Sequence, residues 1–392
     1  MPPRPAQWAV PLGVSLGVPV CLYLSFLLLG GFPFFQRHFF YAHRINTLFW
    51  HDVDKPEYWG FARNQVTPFN IASGNETLYA WHILPTKSIL KYEAQLQASP
   101  AGFSSDITLS NSFKILQDDK DAKLVISFHG NAGHIAQGLR TDHFHSLTDT
   151  SEFHVLSIDY RGYGKSTGSP SEAGLIQDGV AAVEWAINVA DVPSSRIVVM
   201  GQSLGTAVTC GVVEDFAMRG IEFAGVILIA GFSNVPDLLS SYSGAGFIPV
   251  LSPLRRVPSL LRRFQSYIVD KWESANRLSR IVRSTEKRLH LQLIHAKNDL
   301  EIPCHESDVL FKSAASAATD QVLEDEMFAS WKEKMSIHHD DGSFTSSVTA
   351  GPDITIRQEL VPYGGHNAVM LSAAIPLAVM RAFSSAANHS MS

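Results

Sequence analysis

A β-branched apolar run that ends in Gly-x-Ser-x-Gly constrains this fold more than any other feature. Residues 197–206 read Ile-Val-Val-Met-Gly-Gln-Ser-Leu-Gly-Thr. The pattern predicts a buried strand, a sharp turn with Ser203 at its apex, and a helix from Leu204 onward. Gly201 and Gly205 lack a Cβ atom and so leave room around the strained apex. Ser203 is therefore the candidate nucleophile, at the end of a sheet and beside the positive end of a helix.

A serine hydroxyl needs a base to take its proton, and that base needs an acid to orient it. In one recurrent arrangement the three residues follow in the chain order Ser, Asp or Glu, His. Asp299 comes directly after a strand candidate at 289–296, and Glu301 is the alternative acid two residues on. His366 lies on a Gly-rich loop after another strand candidate. We predict that Ser203, His366 and Asp299 meet as a catalytic triad.

A second glycine-rich loop supplies candidate donors for a developing negative charge. The apolar run 123–128 ends in His-Gly-Asn-Ala-Gly at 129–133. Small residues let this backbone turn and present its N–H groups. The N–H of Asn131 and that of Leu204, the residue after the nucleophile, form the predicted oxyanion hole. His129 is predicted to shape the loop rather than to take part in chemistry.

Composition excludes some classes of protein. The 392 residues are 45% hydrophobic, which is enough for a large core. The net charge of −6 gives no basic field that would attract a nucleic-acid partner. The three Cys residues predict neither a disulfide framework nor a metal site. We therefore expect no cofactor and no metal, and the composition leaves the oligomeric state open.

The amino terminus carries a long uncharged apolar segment, from Ala6 to Phe35. It exceeds the ~20 residues that cross a bilayer and the ~7–15 apolar residues of a cleaved signal peptide. It predicts an uncleaved transmembrane signal anchor over residues 1–36, in the endoplasmic reticulum or another endomembrane. Flanking Arg residues favour a cytosolic main domain, whereas glycosylation sequons at Asn75 and Asn388 favour the opposite side. The side that the main domain faces stays open.

Strand and helix patterns alternate through the rest of the chain. They predict an α/β fold with a mostly parallel central sheet and helices on both faces, in a domain over residues 60–390. An insertion at 236–281 is predicted to be a helical cap, whose Arg residues form either a solvated face or a lid that touches a membrane or an anionic headgroup. A polar insertion at 313–351 contains His-His-Asp-Asp-Gly, for which a flexible loop is favoured over a metal site. Asp159 is predicted to hold a tight structural turn.

Three motifs resemble the α/β-hydrolase superfamily: the stretches 129–133, 159–172 and 201–206. The likeness runs from about Val125 to His366. It is strongest to the membrane-anchored lysophospholipases and monoacylglycerol lipases of the superfamily. The resemblance implies an α/β-hydrolase fold with Ser203 as nucleophile, Asp299 as acid and His366 as base. The sequence departs from the family pattern at Gln202, where His is frequent, and in the long insertion at 313–351.

Together these features predict a membrane-anchored serine hydrolase that cleaves carboxylic esters, with a lipid or small ester as its substrate. A single-chain lipid, either a lysophospholipid or a monoacylglycerol, is the favoured substrate. The alternatives are a small-molecule esterase or thioesterase of a biosynthetic pathway, a protein depalmitoylase, and a scaffold without catalysis. Related depalmitoylases carry an amino-terminal Cys cluster, which this chain replaces with an apolar anchor.

Overall fold

The computed structural model describes residues 18, 20–244, 248–321, 324–351 and 353–391, except the side chains of 241, 243, 244, 248, 249 and 388–391. The strands are β1 Val66–Ser73, β2 Glu76–Ile83, β3 Lys123–Phe128, β4 Phe153–Ile158, β5 Ile197–Gln202, β6 Gly225–Ile229, β7 Ser243–Gly244, β8 Ile248–Pro249, β9 Leu289–Ala296, β10 Ser336–His338, β11 Phe344–Ala350 and β12 Ile354–Val361.

The helices begin with α1 Val20–Gly30. They continue with α2 Pro33–Tyr41, α3 Thr86–Lys91, α4 Glu93–Gln97, α5 Asn111–Asp118, α6 Arg140–Thr148, α7 Glu172–Asn188, α8 Leu204–Met218, α9 Val235–Ser241, α10 Pro258–Ser266, α11 Ser274–Ser284, α12 His305–Thr319, α13 Asp325–Lys334, α14 Gly365–Ala368 and α15 Ala374–Met391. Short 3₁₀ turns lie at Pro56–Trp59, Ile107–Leu109, Ser194–Arg196, Ser252–Arg256 and Val369–Leu371.

Ten strands form one mixed sheet in the order β1-β2-β4-β3-β5-β6-β9-β12-β11-β10. The six central strands, β4 to β12 in that order, are parallel, as predicted. The outer strands at both edges pair antiparallel. Every residue of β5 and of β6 is buried, because helices cover both faces of the parallel strands.

Two hydrophobic cores lie on the two faces of the sheet. One core includes Leu175 of α7, Val208 of α8 and Phe311 of α12. The other includes Phe144 of α6 and Val379 of α15. The carboxyl ends of the parallel strands meet at one edge of this sandwich, where an α/β fold places its functional loops.

The excursion from the sheet in the structure is shorter than the cap predicted at 236–281. Helices α9 and α10 and the β7–β8 ribbon form an excursion from the sheet, but α11 belongs to the core layer. Leu278, Ile281 and Val282 are buried there, at the i, i+3, i+4 spacing of a core-facing stripe. The carboxyl-terminal part of the predicted cap, from Ser274 onward, is therefore a helix of the main domain.

The polar insertion predicted at 313–351 consists largely of helices and strands. It begins inside α12, where Ala314 and Ala315 are buried, and continues through α13. Its second half forms β10 and β11, which extend the sheet beyond β12. The His-His-Asp-Asp-Gly segment connects those two strands. That segment, for which the sequence favoured a loop over a metal site, does lie in a loop at 339–343. The strand β11 was not predicted because its sequence is rich in Ser and Thr, although Thr345, Ser346 and Val348 are buried.

At the amino terminus, α1 and α2 meet at a bend of 108°. Within the described part of the chain, no single helix is long and apolar enough to cross a bilayer, and α1 and α2 reach that threshold only as a bent pair. The first 17 residues of the predicted anchor lie outside the described residues.

Candidate active site

Ser203 lies between the end of β5 and the start of α8, at the predicted strand–helix turn. Its backbone φ of 54° and ψ of −121° place it in a conformation that non-glycine residues rarely adopt. The N–H of Ser203 donates to the Ile229 carbonyl of β6 over 2.9 Å, which holds the turn against the neighbouring strand. The residue as a whole is 8% exposed and is therefore buried.

The two flanking glycines make this turn possible through close backbone contact. A Cβ atom on Gly201 would overlap the Gly205 carbonyl group, and one on Gly205 would overlap the Phe128 carbonyl group at the end of β3. Neither neighbour is a flexible side chain that could move aside. The Gly-x-Ser-x-Gly spacing is therefore required by the backbone packing of β3, β5 and α8.

The structure brings the three predicted triad residues together. The Ser203 Oγ atom lies 2.9 Å from His366 Nε2. The other ring nitrogen, His366 Nδ1, lies 2.8 Å from Asp299 Oδ2. With its proton on Nδ1, the imidazole donates to the carboxylate and accepts from the serine hydroxyl. This is the geometry in which a serine can be activated by a neighbouring base.

Asp299 is buried and accepts hydrogen bonds at both of its oxygens. Its Oδ1 accepts from the backbone N–H groups of Glu301 and Ile302, each over 2.9 Å. Its Oδ2 faces His366 and also lies 3.2 Å from His295 Nε2. Burial by itself would raise the pKa of Asp299, but the hydrogen bonds from His295 and His366 hold that pKa below its usual value. The carboxylate is therefore ionised at neutral pH.

Glu301, the alternative acid, does not reach the imidazole. Its side chain lines the adjoining cavity, and its backbone serves Asp299. His295 was not predicted from the sequence. It is fully buried on β9, and its Nε2 atom lies 2.9 Å from the Ile302 carbonyl as well as near Asp299. The sequence signal for His295 is its position in the strand candidate 289–296, four residues before Asp299.

Two polar side chains for which the sequence predicted no role position the loop of His366. Gln202 Nε2 donates to the His366 carbonyl over 3.1 Å. Asn298 Oδ1 accepts from the Gly365 N–H over 2.8 Å. A Cβ atom on Gly130 would overlap Gln202 Oε1, so Gly130 leaves the space that Gln202 occupies. Gln202, the departure from the family pattern, thus ties the nucleophile turn to the base loop.

The loop at 129–133 is held in place by a partly buried arginine. The Arg140 guanidinium donates to the carbonyls of Gly130, Asn131 and Ala132 over 2.9–3.0 Å. Because these carbonyls point toward Arg140, the N–H groups of the same peptide units point away from it. Across the described residues, the N–H groups of Asn131 and Leu204 donate to no protein acceptor. Both residues line the cavity at Ser203.

The same loop contacts the end of α2. The Asn131 side-chain amide donates to the Phe40 carbonyl, and the Ala132 N–H donates to the Tyr41 carbonyl over 3.3 Å. The Tyr163 hydroxyl lies within hydrogen-bond distance of both the Tyr41 carbonyl and Asn131 Oδ1. The amino-terminal segment is therefore part of the framework that fixes the predicted oxyanion loop.

Asp159 has the structural role that the sequence predicted. Its Oδ1 accepts from the Ile135 N–H over 2.6 Å, and its own carbonyl accepts from the Ser166 hydroxyl. Burial raises the pKa of Asp159 to about 7, although the hydrogen bond from Ile135 opposes that shift. His129 is buried beside it, with Nδ1 2.7 Å from the Gly130 carbonyl, as a residue that shapes the loop.

A cavity of about 700 Å³ opens at Ser203 and His366. Its walls combine the predicted oxyanion loop with apolar side chains of α2 and the cap, among them Phe40, Leu239 and Tyr242. That volume is within the range of small-molecule sites in proteins. The arrangement offers a hydroxyl, a base and free N–H donors facing one apolar space.

Other predicted features lie away from this cavity. Asn75 is exposed in the β1–β2 turn, and Asn388 is in α15 with its side chain outside the described residues. In the part of the chain that the structure covers, no three His, Cys, Asp or Glu side chains are grouped to hold a metal ion. Cys210 and Cys304 are free thiols.

The fold and this geometry define an α/β protein with a Ser-His-Asp constellation at the carboxyl ends of its parallel strands. A family model described as "Serine aminopeptidase, S33" matches residues 119–297. A solved structure of an α/β hydrolase from Vibrio vulnificus aligns with 90% of this chain and 92% of its own, at a TM-score of 0.56 and 13% identity. The chain therefore has an α/β-hydrolase fold, and over residues 119–297 it is similar to the family of that model.

Two curated relatives carry related names. Human "Protein ABHD12B" is 28% identical over 199 residues, which are 50% of each chain. The "Lysophosphatidylserine lipase ABHD12" of Xenopus tropicalis is 25% identical over 309 residues, which are 78% of this chain and 70% of the relative. The chain thus spans only half the length of the human relative.

Proposed function

We propose that this chain is a membrane-associated serine hydrolase that cleaves carboxylic esters of single-chain lipids. The observation that carries the proposal is His366, whose two ring nitrogens lie 2.9 Å from Ser203 Oγ and 2.8 Å from Asp299 Oδ2. One imidazole that contacts a serine hydroxyl and a buried carboxylate is the arrangement of acyl transfer through a covalent intermediate.

In the first half-reaction, Ser203 Oγ attacks the ester carbonyl carbon while its proton passes to His366 Nε2. Asp299 keeps the imidazole in the required tautomer and stabilises its charged form. The carbonyl oxygen becomes an oxyanion, which the N–H groups of Asn131 and Leu204 stabilise. The C–O bond to the alcohol then breaks, and the alcohol leaves with the proton from His366.

In the second half-reaction, water attacks the acyl-enzyme carbonyl. His366 takes a proton from the water, and the same N–H groups stabilise the second tetrahedral oxyanion. Collapse of that intermediate returns the proton to Ser203 and releases the acid.

Exposed apolar surface supports a lipid substrate and a membrane location. Leu22, Leu28 and Phe34 of the amino-terminal helices are each more than half exposed. These helices continue the apolar segment that predicts a transmembrane anchor over residues 1–36, in an endomembrane. The cap beside them carries Arg255 and Arg262, which would face anionic lipid headgroups. The lysophosphatidylserine lipase name of the Xenopus relative favours a lysophospholipid over other single-chain lipids.

The test is hydrolysis by the purified full-length chain in detergent or vesicles. We expect wild-type protein to hydrolyse p-nitrophenyl butanoate and to be labelled by a fluorophosphonate, and Ser203→Ala to lose both. Ser105→Ala, an exposed serine remote from the cavity, is the matched control and should behave as wild type. Turnover that survives Ser203→Ala would refute the proposal, and absence of labelling in folded wild-type protein would favour a scaffold.

Comparison of substrates separates the alternatives. Lysophospholipid, monoacylglycerol, a palmitoylated peptide and a short-chain thioester are offered to the same preparation. We expect kcat/KM to be highest for a single-chain lipid. A preference for the short thioester would indicate a biosynthetic thioesterase, and a preference for the acylated peptide would indicate a depalmitoylase.

A further inference from the structure

A second apolar chamber of about 400 Å³ lies between the amino-terminal helices and the cap. Most of its wall is hydrocarbon. The side chains from α1 are Phe26 and Leu29, and those from the cap region are Leu239, Val250, Phe264 and Ile268. Neither the triad residues nor the predicted oxyanion donors line this chamber.

The chamber adjoins the cavity at Ser203. Phe39, Phe40 and Leu239 line both spaces, so the two cavities lie on opposite sides of the same three side chains. Phe39 is 50% exposed, and Phe40 and Leu239 are only partly buried where they pack against the core, so none of the three side chains is fully enclosed. A rotamer change at these residues would join the two spaces into one path from the nucleophile.

The chamber walls are fixed by polar contacts outside its apolar lining. Gln36 Nε2 donates to the carbonyls of Gly30 and Tyr267 over 2.8 Å, and Gln36 Oε1 accepts from the Val269 N–H over 3.0 Å. Tyr23 Oη donates to the Val250 carbonyl over 3.1 Å. These bonds tie α1 and α2 to the cap on two sides, so the chamber is a built feature of the fold.

The polar groups at the chamber's edge are largely engaged. The Tyr41 hydroxyl donates to Asp270 Oδ2 over 2.7 Å, and the Gln36 amide is used as described above. The helix bend also comes close to the cap, because a Cβ atom on Gly30 would lie 2.9 Å from Phe264 Cζ. What is left for a ligand is a mostly apolar space of about 400 Å³, with the charged side chains of Arg37 and Asp270 in its wall.

We propose that this chamber holds the acyl chain of the ester substrate and sets the preferred chain length. The inference rests on the proposed esterase function and names the substrate class within it. The carbonyl group sits at Ser203, the chain passes Phe40 and Leu239, and its methyl end reaches Phe264 and Ile268. The alcohol part stays in the larger cavity near Glu301. A single chamber accepts a single chain, which favours one-chain lipids over two-chain lipids.

The first test is a series of p-nitrophenyl esters from four to sixteen carbons. Each methylene buried in the chamber should raise kcat/KM by about fourfold until the chamber is full. Ile268→Phe fills the far end and should lower the ratio of kcat/KM for the dodecanoyl ester to that for the butanoyl ester by about 15-fold, the loss of two methylenes. Phe264→Ala enlarges the chamber and should move the optimum to longer chains.

Leu260→Phe is the matched control, because Leu260 is on α10 but lines neither cavity. Its chain-length profile should equal that of wild type. If Ile268→Phe and Phe264→Ala both keep the wild-type profile, or if Leu260→Phe shifts it equally, the chamber does not hold the chain.

Binding without catalysis separates this inference from the proposed function. In a Ser203→Ala background, a fluorescent twelve-carbon fatty acid should bind about 15-fold more weakly when Ile268→Phe is added. If wild type has no esterase activity at any chain length, the proposed function is wrong, whereas the chamber is still judged by this binding measurement. Equal affinity with and without Ile268→Phe would overturn the chamber.

Discussion

Replacing Asp299 with asparagine is expected to switch the tautomer of His366. The two backbone N–H groups of Glu301 and Ile302 both donate to Asp299 Oδ1. In Asp299→Asn these donors select the amide oxygen for that position, so the NH₂ group must occupy the Oδ2 position and face His366 Nδ1. The imidazole then accepts at Nδ1 and carries its proton on Nε2, where it can no longer take the proton of Ser203.

The expected loss in kcat is about 10⁴-fold, which is the effect of a wrong tautomer in a serine triad and corresponds to about 5.4 kcal/mol of activation free energy. The substitution preserves shape, and the 2.9 Å bonds to Oδ1 survive it. The lost charge also removes the stabilisation of imidazolium. KM should change far less than kcat, since the effect arises in the transition state.

The assay is kcat for p-nitrophenyl butanoate, with the rate of fluorophosphonate labelling as a second measure and thermal unfolding as the check on folding. Glu301→Gln, the same chemical change at the alternative acid, is the comparison and should cost less than tenfold, because Glu301 makes no side-chain contact with His366 among the described residues. A folded Asp299→Asn protein within tenfold of wild type would refute the tautomer argument, and a larger loss in Glu301→Gln would make Glu301 the acid.

Three further outcomes follow from the same geometry. Gly205→Ala should lower the free energy of unfolding by about 3 kcal/mol or prevent folding, because its Cβ atom meets the Phe128 carbonyl; unchanged thermal unfolding and labelling would contradict this. Arg140→Gln should reduce kcat by roughly 10–100-fold at similar KM by loosening the oxyanion loop, and a pure rise in KM would instead mean that Arg140 binds substrate. Burial lowers the pKa of His143 to about 4 and that of His154 to about 3. The unfolded chain therefore binds more protons below pH 6.5, and each residue should cost about 2.5 kcal/mol of stability by pH 4.5; denaturant unfolding that is the same at pH 7 and pH 4.5 would contradict this.

Much of the fold could be predicted because its signals are local. The central strands β3, β5 and β6 are largely apolar runs, and the turn at Ser203 needs two glycines at a fixed spacing. The bounds of the insertions could not be predicted so well. From the sequence, the stripe Leu278, Ile281 and Val282 is equally consistent with a cap helix, and only its contacts with α8 and α12 place it in the core layer. The Ser- and Thr-rich β11 forms a strand because it pairs with the edge of β12.

The sequence by itself determined which residues could react: a serine on a forced turn, an aspartate after one strand and a histidine after another. Chain order and glycine spacing carry that information because backbone sterics act over a few residues. Only the tertiary structure decided what surrounds them. His295, Gln202, Asn298 and Arg140 act on the site through contacts between segments that are distant in sequence or through burial, and the apolar chamber exists only where the amino-terminal helices pack on the cap. Such contacts depend on how elements meet in space, which no local pattern records.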